Sequence, residues 1–126
     1  MKKSLDAVLA QVGPDFWDTA GIAEALAGAP TRQDVEQQVR EHRLLALTTF
    51  DGRTIYPTWQ LDRGQVLAGL PAVLAAFAGL PAWSVATWLT SAHDALAGRT
   101  PVAALTAGRD DETVAALASR TADGWR

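Results

Sequence analysis

Residues 88–108 constrain the fold more than any other segment, because they mark the end of one helix and the start of another. Gly98 interrupts the apolar helical pattern that contains Trp88. Thr100 then suits an N-cap, and Pro101 suits the first helical position, where a missing N–H costs nothing. Gly108 ends the new helix. The segment holds no catalytic or phosphate-binding motif, so it predicts a surface that binds another macromolecule.

The composition indicates a small helical protein. Its 126 residues fit one domain or two small packed units, and the abundance of alanine and leucine favours helix. The chain has no cysteine and two histidines, which excludes a disulfide framework and a thiolate zinc site. The apolar residues 67–80 contain proline and glycine and are too few to span a membrane. We therefore expect a soluble, cytoplasmic protein with no membrane partner, no metal and no cofactor.

The amino-terminal half is expected to contain three helices. Residues 4–12 have helical apolar spacing that Gly13-Pro14 ends, and Phe16 and Trp17 are then expected to pack in a core. Residues 19–43 have the pattern of a helix–turn–helix, with Thr19 as the first N-cap.

The second helix of this pair is the candidate DNA reader. Thr31 and Asp34 have the spacing of a capping box, and Val35 begins the buried face. In a DNA-binding helix–turn–helix the second helix enters the major groove, where Arg and Gln read base edges. The alternative is an ordinary solvated helix face. The candidate DNA-binding residues are Arg32, Gln33, Gln37 and Arg40.

Residues 44–57 give the clearest β signal. Two apolar runs flank Asp51-Gly52, which is a strong hairpin signal, and Pro57 ends the second strand. A hairpin directly after a helix–turn–helix is the arrangement of a winged helix. It places Arg53 at the tip as a further DNA-binding candidate. The alternative is a small sheet that only completes the core.

The carboxyl-terminal half is expected to be helical throughout. Residues 70–77, 81–91, 101–107 and 110–121 each have apolar helical spacing, and residues 122–126 are predicted to form a tail. A boundary between two units is expected near residues 60–65. The fold is therefore predicted to be mainly α with one β-hairpin, with a winged helix–turn–helix-like unit in residues 1–62 and a small helical domain in residues 63–126.

Several types of enzyme site find no support in the sequence. His42 and His93 are far apart and have no metal-ligand spacing, and no serine lies in a Gly-x-Ser-x-Gly context. The glycines occur singly, without a phosphate-binding cluster. We therefore expect a binding protein and not an enzyme.

The carboxyl-terminal half resembles the toxin-binding domain of Xre/MbcA/ParS-type bacterial antitoxins. The resemblance covers roughly residues 55–126. It depends on an ordered set of residues and not on any one of them. The set comprises Trp88-Leu89, the L-x-G-x-T-P turn at residues 96–101, Leu105, Gly108, Val114 and Leu117, together with the upstream residues 56–61 and 66–70.

The resemblance implies an antitoxin that neutralises a RES-type, NAD-consuming toxin by direct binding, forms homodimers, and represses its own operon through the helix–turn–helix. It also implies that residues 113–126 face the toxin. From residue type, we expect arginine and tryptophan to dominate that interface. The candidate toxin-binding residues are Thr113, Leu117, Arg120, Trp125 and Arg126. The alternative is a DNA-binding transcriptional regulator whose carboxyl-terminal helices only dimerise.

Overall fold

The computed structural model describes residues 16–28 and 30–126, which fold as a mainly helical protein with small antiparallel sheets. This confirms the predicted mainly α fold with a β-hairpin, while the helix–turn–helix class of the amino-terminal half stays a prediction. The helix predicted at residues 4–12 lies outside the described residues. In chain order the elements are β1 (Phe16–Trp17), α1 (Thr19–Ala25), α2 (Arg32–Arg40), β2 (Leu47–Thr48), β3 (Thr54–Pro57), β4 (Leu61–Asp62), β5 (Gln65–Val66), α3 (Leu70–Ala76), α4 (Ala82–Leu89), α5 (Pro101–Ala107) and α6 (Asp111–Trp125).

Helices α1 and α2 form the predicted pair, and a side chain caps each of them. The predicted capping box at α2 is confirmed: the Thr31 hydroxyl accepts from the Asp34 N–H at 3.1 Å, and the Asp34 carboxylate accepts from the Thr31 N–H at 3.0 Å. The N-cap predicted for α1 was wrong by one residue. Asp18 caps this helix by accepting from the Gly21 N–H at 2.7 Å, so that Thr19 becomes the first helical residue.

The predicted hairpin is confirmed as β2 and β3, with Leu47 opposite Ile55. Gly52 at its tip has a φ of 85°, a left-handed conformation that glycine adopts without steric cost. Strand β1 pairs with the other edge of β3, so the sheet order is β1-β3-β2. Phe16 and Trp17 therefore form a third strand, while their side chains are half-buried against the apolar clusters, as a core role requires.

A second, tight hairpin joins the two halves of the chain. The turn at residues 62–64 connects β4 to β5, with Arg63 at φ 55° and Gly64 at φ 79°. Two consecutive left-handed residues match the twist of a two-residue hairpin. The Gly64 carbonyl accepts from the Ala27 N–H at 2.8 Å, which ties this hairpin to the end of α1.

The four carboxyl-terminal helices begin and end close to the predicted positions. The Thr100 hydroxyl caps α5 by accepting from the Ala103 N–H at 3.1 Å, and Gly108 ends it at φ 74°. The prediction of a tail after residue 121 was wrong, because α6 continues to Trp125. Its buried face repeats every four residues through Val114, Ala118 and Ala122, so the apolar packing continues into the segment predicted as a tail.

Two apolar clusters fill the interior. The smaller one joins α1, α2 and β3 through Ile22, Val35 and Tyr56. The larger one holds the carboxyl-terminal helices, but it also contains Leu45 and Leu47 from the other side of the predicted boundary. The division at residue 62 stays a prediction, and side chains on both sides of it share one core. Within the described residues, no helix is both long enough and apolar enough to cross a membrane.

Candidate nucleic-acid interface and the carboxyl-terminal helix

Helix α2 buries one side chain and presents most of the others to solvent. Val35 is fully buried in the smaller cluster, on the side of α2 that packs against α1. The reciprocal capping box fixes the amino-terminal turn of the helix. The four candidate DNA-binding side chains of this helix are all exposed, and these are Arg32, Gln33, Gln37 and Arg40.

These exposed side chains differ in their partners. Arg40 donates to the Gln37 side-chain oxygen at 2.7 Å, and Gln37 donates to the Glu41 carboxylate at 3.1 Å. Arg32 and Gln33 make no hydrogen bond or ion pair with the described residues. The amino-terminal turn of α2 therefore presents the side chains that are freest to bind a ligand, while the last turn holds a preformed polar chain.

Arg53 lies on a different element, the hairpin loop (residues 49–53). Its guanidinium contacts the Asp51 carboxylate at 3.1 Å, and its side chain is 79% exposed. The Thr49 hydroxyl donates to the same carboxylate. These two hydrogen bonds, with the charge of Arg53, lower the pKa of Asp51 below its ordinary value. Asp51 and Arg53 thus form an exposed ion pair within the loop.

Phe50 was not among the predicted site residues, because the hairpin pattern placed it within the first strand run. The structure places this residue in the hairpin loop with its side chain 81% exposed. The sequence signal was its position directly before Asp51-Gly52, because loop positions in hairpins seldom bury a side chain.

The candidate toxin-binding residues lie along α6 and at its end. Thr113 and Arg120 are exposed, and Leu117 is half-buried against the larger core. Positions 113, 117 and 120 follow the i, i+4, i+7 spacing of one helical face. This face is therefore a mixed surface in which an apolar residue lies between two polar ones.

Trp125 and Arg126 contact their own protein. The Trp125 ring lies 5.1 Å from the ring of Phe77, and the Arg126 guanidinium donates to the carbonyls of Ala76 and Ala78 at 3.1 and 3.0 Å. Trp125 keeps 42% of its surface exposed. These contacts hold the end of α6 against the end of α3.

A shallow groove of about 470 Å³ lies beside Trp125. His93 is fixed at its edge, where its Nε2 lies 3.0 Å from the Trp88 carbonyl oxygen and its ring 5.1 Å from the Trp88 ring. The groove is lined by three tryptophans, three hydroxyl residues and this histidine, which are Trp83, Ser84, Thr87, Trp88, Ser91, His93 and Trp125. Among residues 16–28 and 30–126, no three or more His, Asp or Glu side chains are grouped as a metal site would require.

The arrangement defines a fold class: a capped helix pair and a three-stranded antiparallel sheet, followed by four helices on a shared core. No protein-family model and no curated protein matches the sequence. A solved structure, the NMR structure of Rv2175c, is similar to this chain, with a TM-score of 0.71 and 27% sequence identity. The match covers 86% of this chain and 81% of that one.

Proposed function

We propose that this chain binds duplex DNA through the exposed face of α2, with the hairpin loop as a second contact. The observation that carries the proposal is the capped amino-terminal turn of α2, which leaves Arg32 and Gln33 exposed and without partners among the described residues. In helix–turn–helix proteins the amino-terminal residues of the second helix contact base edges.

The side chains suit distinct roles in such a complex. Arginine makes bidentate bonds to guanine, and glutamine makes them to adenine, so Arg32 and Gln33 are the candidate base contacts. Arg40 and Arg53 lie at the last turn of α2 and in the hairpin loop, where contacts to phosphate are expected. Gln37 becomes a further contact to DNA once the DNA displaces its hydrogen bond to Glu41.

The balance of acidic and basic side chains on α2 and the hairpin loop predicts a modest affinity for DNA. Asp34 is engaged in the capping box and Asp51 in the ion pair with Arg53, which reduces the repulsion that these acids exert on phosphate. Glu36 is exposed on the same helix and carries no such partner. A few arginines then neutralise a few phosphates, so the dependence on salt is expected to be shallow.

The test is binding to the DNA upstream of the protein's own gene, measured by footprinting and by anisotropy with labelled fragments. The variant Arg32→Ala/Gln33→Ala/Arg40→Ala is expected to lose the footprint. Arg120→Ala is the matched control, because it removes an exposed helical arginine from α6. An intact footprint in the triple variant would rule out α2 as the reader.

A second candidate is the antitoxin activity that the sequence resemblance implies: direct neutralisation of a RES-type, NAD-consuming toxin, with autorepression through α2. The observation that favours it is the partly exposed Trp125 beside a groove that contains two further tryptophans. Tryptophan and arginine dominate binding energy at protein interfaces. The contact would extend along α6 to Thr113, Leu117 and Arg120. A cytoplasmic homodimer would carry two copies of this surface.

The docked end of α6 changes how such a contact would form. Arg126 already bonds to Ala76 and Ala78, so the toxin would meet the folded face of α6 and not an inserted tail. Co-expression with a RES-type toxin tests this candidate, with NAD level as the readout. Arg120→Glu is expected to release toxin activity if α6 is the contact. Complete protection by this variant would count against the contact on α6.

A further inference from the structure

Phe50 is an exposed aromatic side chain that neither proposed activity uses. It is 81% exposed, whereas Trp125, the other exposed large apolar side chain in the described part of the chain, is 42% exposed and packs on Phe77. Phe50 lies at the tip of the hairpin, between Thr49 and Asp51.

The hairpin loop around Phe50 is closed by several hydrogen bonds. The Thr49 N–H donates to the Arg53 carbonyl at 2.7 Å, and the Gly52 N–H donates to the Thr49 carbonyl at 3.0 Å. The Thr49 hydroxyl also accepts from the Arg53 N–H at 3.0 Å. The backbone on both sides of Phe50 is therefore fixed, and this conformation presents the ring to solvent.

The surroundings of the ring are polar and include a cation. Arg53 lies in the same loop, 79% exposed, and its partner Asp51 is also in the loop. A protein-docking site usually needs a contiguous apolar patch around its aromatic anchor, and the loop neighbours Thr49, Asp51 and Gly52 do not supply one. Some DNA-binding proteins insert a single apolar side chain between base steps in the minor groove and place an arginine beside it. The loop has the same combination of side chains.

We propose that Phe50 enters the minor groove of DNA and partly unstacks one base step, while Arg53 contacts the adjacent groove floor or phosphate. This inference rests on the proposed DNA binding and adds a deformation of the duplex to it. Pyrimidine–purine steps such as TA unstack most easily, so the loop is expected to select a site that places such a step beneath it.

The experiment uses the full chain and a duplex that contains its footprinted site, with 2-aminopurine beside the step under the hairpin loop. Wild type is compared with Phe50→Ala and Phe50→Trp. Thr54→Ala is the matched control, because it shortens an exposed side chain of the same hairpin. Affinity, 2-aminopurine fluorescence and the end-to-end distance of a doubly labelled duplex are measured for each protein.

Phe50→Ala is expected to weaken binding about tenfold or more, because stacking of a base on an aromatic side chain accounts for losses of this size. It is also expected to abolish the fluorescence increase and the bend. Phe50→Trp and Thr54→Ala are expected to retain the fluorescence increase and the bend. Replacing the flexible step by a stiff A-tract should weaken wild type and leave Phe50→Ala nearly unchanged.

Equal affinity and equal fluorescence for wild type and Phe50→Ala would overturn the wedge. If the α2 triple variant still lost binding in that case, the proposed DNA-binding function would stand without it. If the wild-type chain bound none of its upstream DNA, both the wedge and the proposed DNA-binding function would be overturned.

Discussion

The side-chain amide of Gln60 bonds to both backbone groups of Leu45. The Leu45 N–H donates to the Gln60 side-chain oxygen at 2.8 Å, and the Gln60 side-chain nitrogen donates to the Leu45 carbonyl at 3.0 Å. The same nitrogen donates to the Pro57 carbonyl at 3.1 Å. Gln60 is fully buried, so one side chain satisfies backbone groups before β2 and at the end of β3 that water cannot reach.

Gln60→Leu is expected to lower the free energy of unfolding by about 3 kcal/mol, because it leaves buried donors and acceptors of the backbone without partners. Urea denaturation followed by circular dichroism measures the change. Gln65→Ala, which alters an exposed glutamine of β5, is the control and is expected to change stability by less than about 0.5 kcal/mol. A stable Gln60→Leu protein would show that the buried amide is dispensable.

Gly69→Ala is expected to be destabilising by about 2 kcal/mol. A Cβ atom at residue 69 would lie 2.6 Å from Leu105 Cδ2 and 2.8 Å from Asp111 Cγ, so these packed side chains of α5 and α6 would have to shift. Gly124→Ala is the matched control, since nothing lies within 4 Å of its Cβ position and it sits within α6. This control should stabilise the protein by up to about 1 kcal/mol through helix propensity. Thermal melts that rank the two variants in the opposite order would refute the close approach.

Trp125→Ala is expected to reduce stability by about 1–2 kcal/mol, because it removes the contact of the indole with Phe77 and exposes part of the larger core. Hydrogen exchange should quicken in the last turn of α6. Ser119→Ala, an exposed change on the same helix, serves as the control. If Trp125→Ala left both stability and exchange unaltered, the docking of the helix end would be wrong.

Thr49→Val is expected to raise the pKa of Asp51 towards its ordinary value, because the Thr49 hydroxyl is the largest cause of its lowering and Arg53 the second. A lowered pKa in the folded state gives stability that is present above the unfolded pKa and is lost as the pH falls through the folded pKa. The hairpin loop should therefore loosen only at acid pH. A carboxyl-carbon NMR titration measures the pKa of Asp51 in the wild type and in Thr49→Val. Identical curves for the two proteins would show that the Thr49 hydroxyl does not lower this pKa.

Glycine and proline made the carboxyl-terminal helices predictable from the sequence. The N-cap Thr100, the helical start at Pro101 and the stop at Gly108 are local effects, and α5 has the bounds that they predict. Strands β1, β4 and β5 are two residues long, too short for alternation to be visible. Strand β1 exists through pairing with the distant β3, whereas β4 and β5 pair with each other across the turn at Arg63-Gly64. A tertiary contact therefore sets the existence of β1, while a local turn sets that of β4 and β5.

The candidate sites were also predictable only in part. The exposed face of α2 followed from helical periodicity around Val35, and the structure confirms that exposure. The docking of Trp125 was not predictable, because it depends on Phe77, a residue 48 positions away. The role of α2 in reading DNA and of α6 in toxin binding stay predictions, since exposure alone does not identify a ligand.

The most direct test of the central claim is the salt dependence of binding to the protein's own upstream DNA, for wild type and for Arg32→Ala/Gln33→Ala/Arg40→Ala. If Arg40 and Arg53 each neutralise one phosphate, the slope of log K against log salt should be about −2 per bound chain. The triple variant should lose sequence preference, and its slope should fall to about −1. Equal slopes and equal sequence preference in the two proteins would contradict DNA recognition by α2.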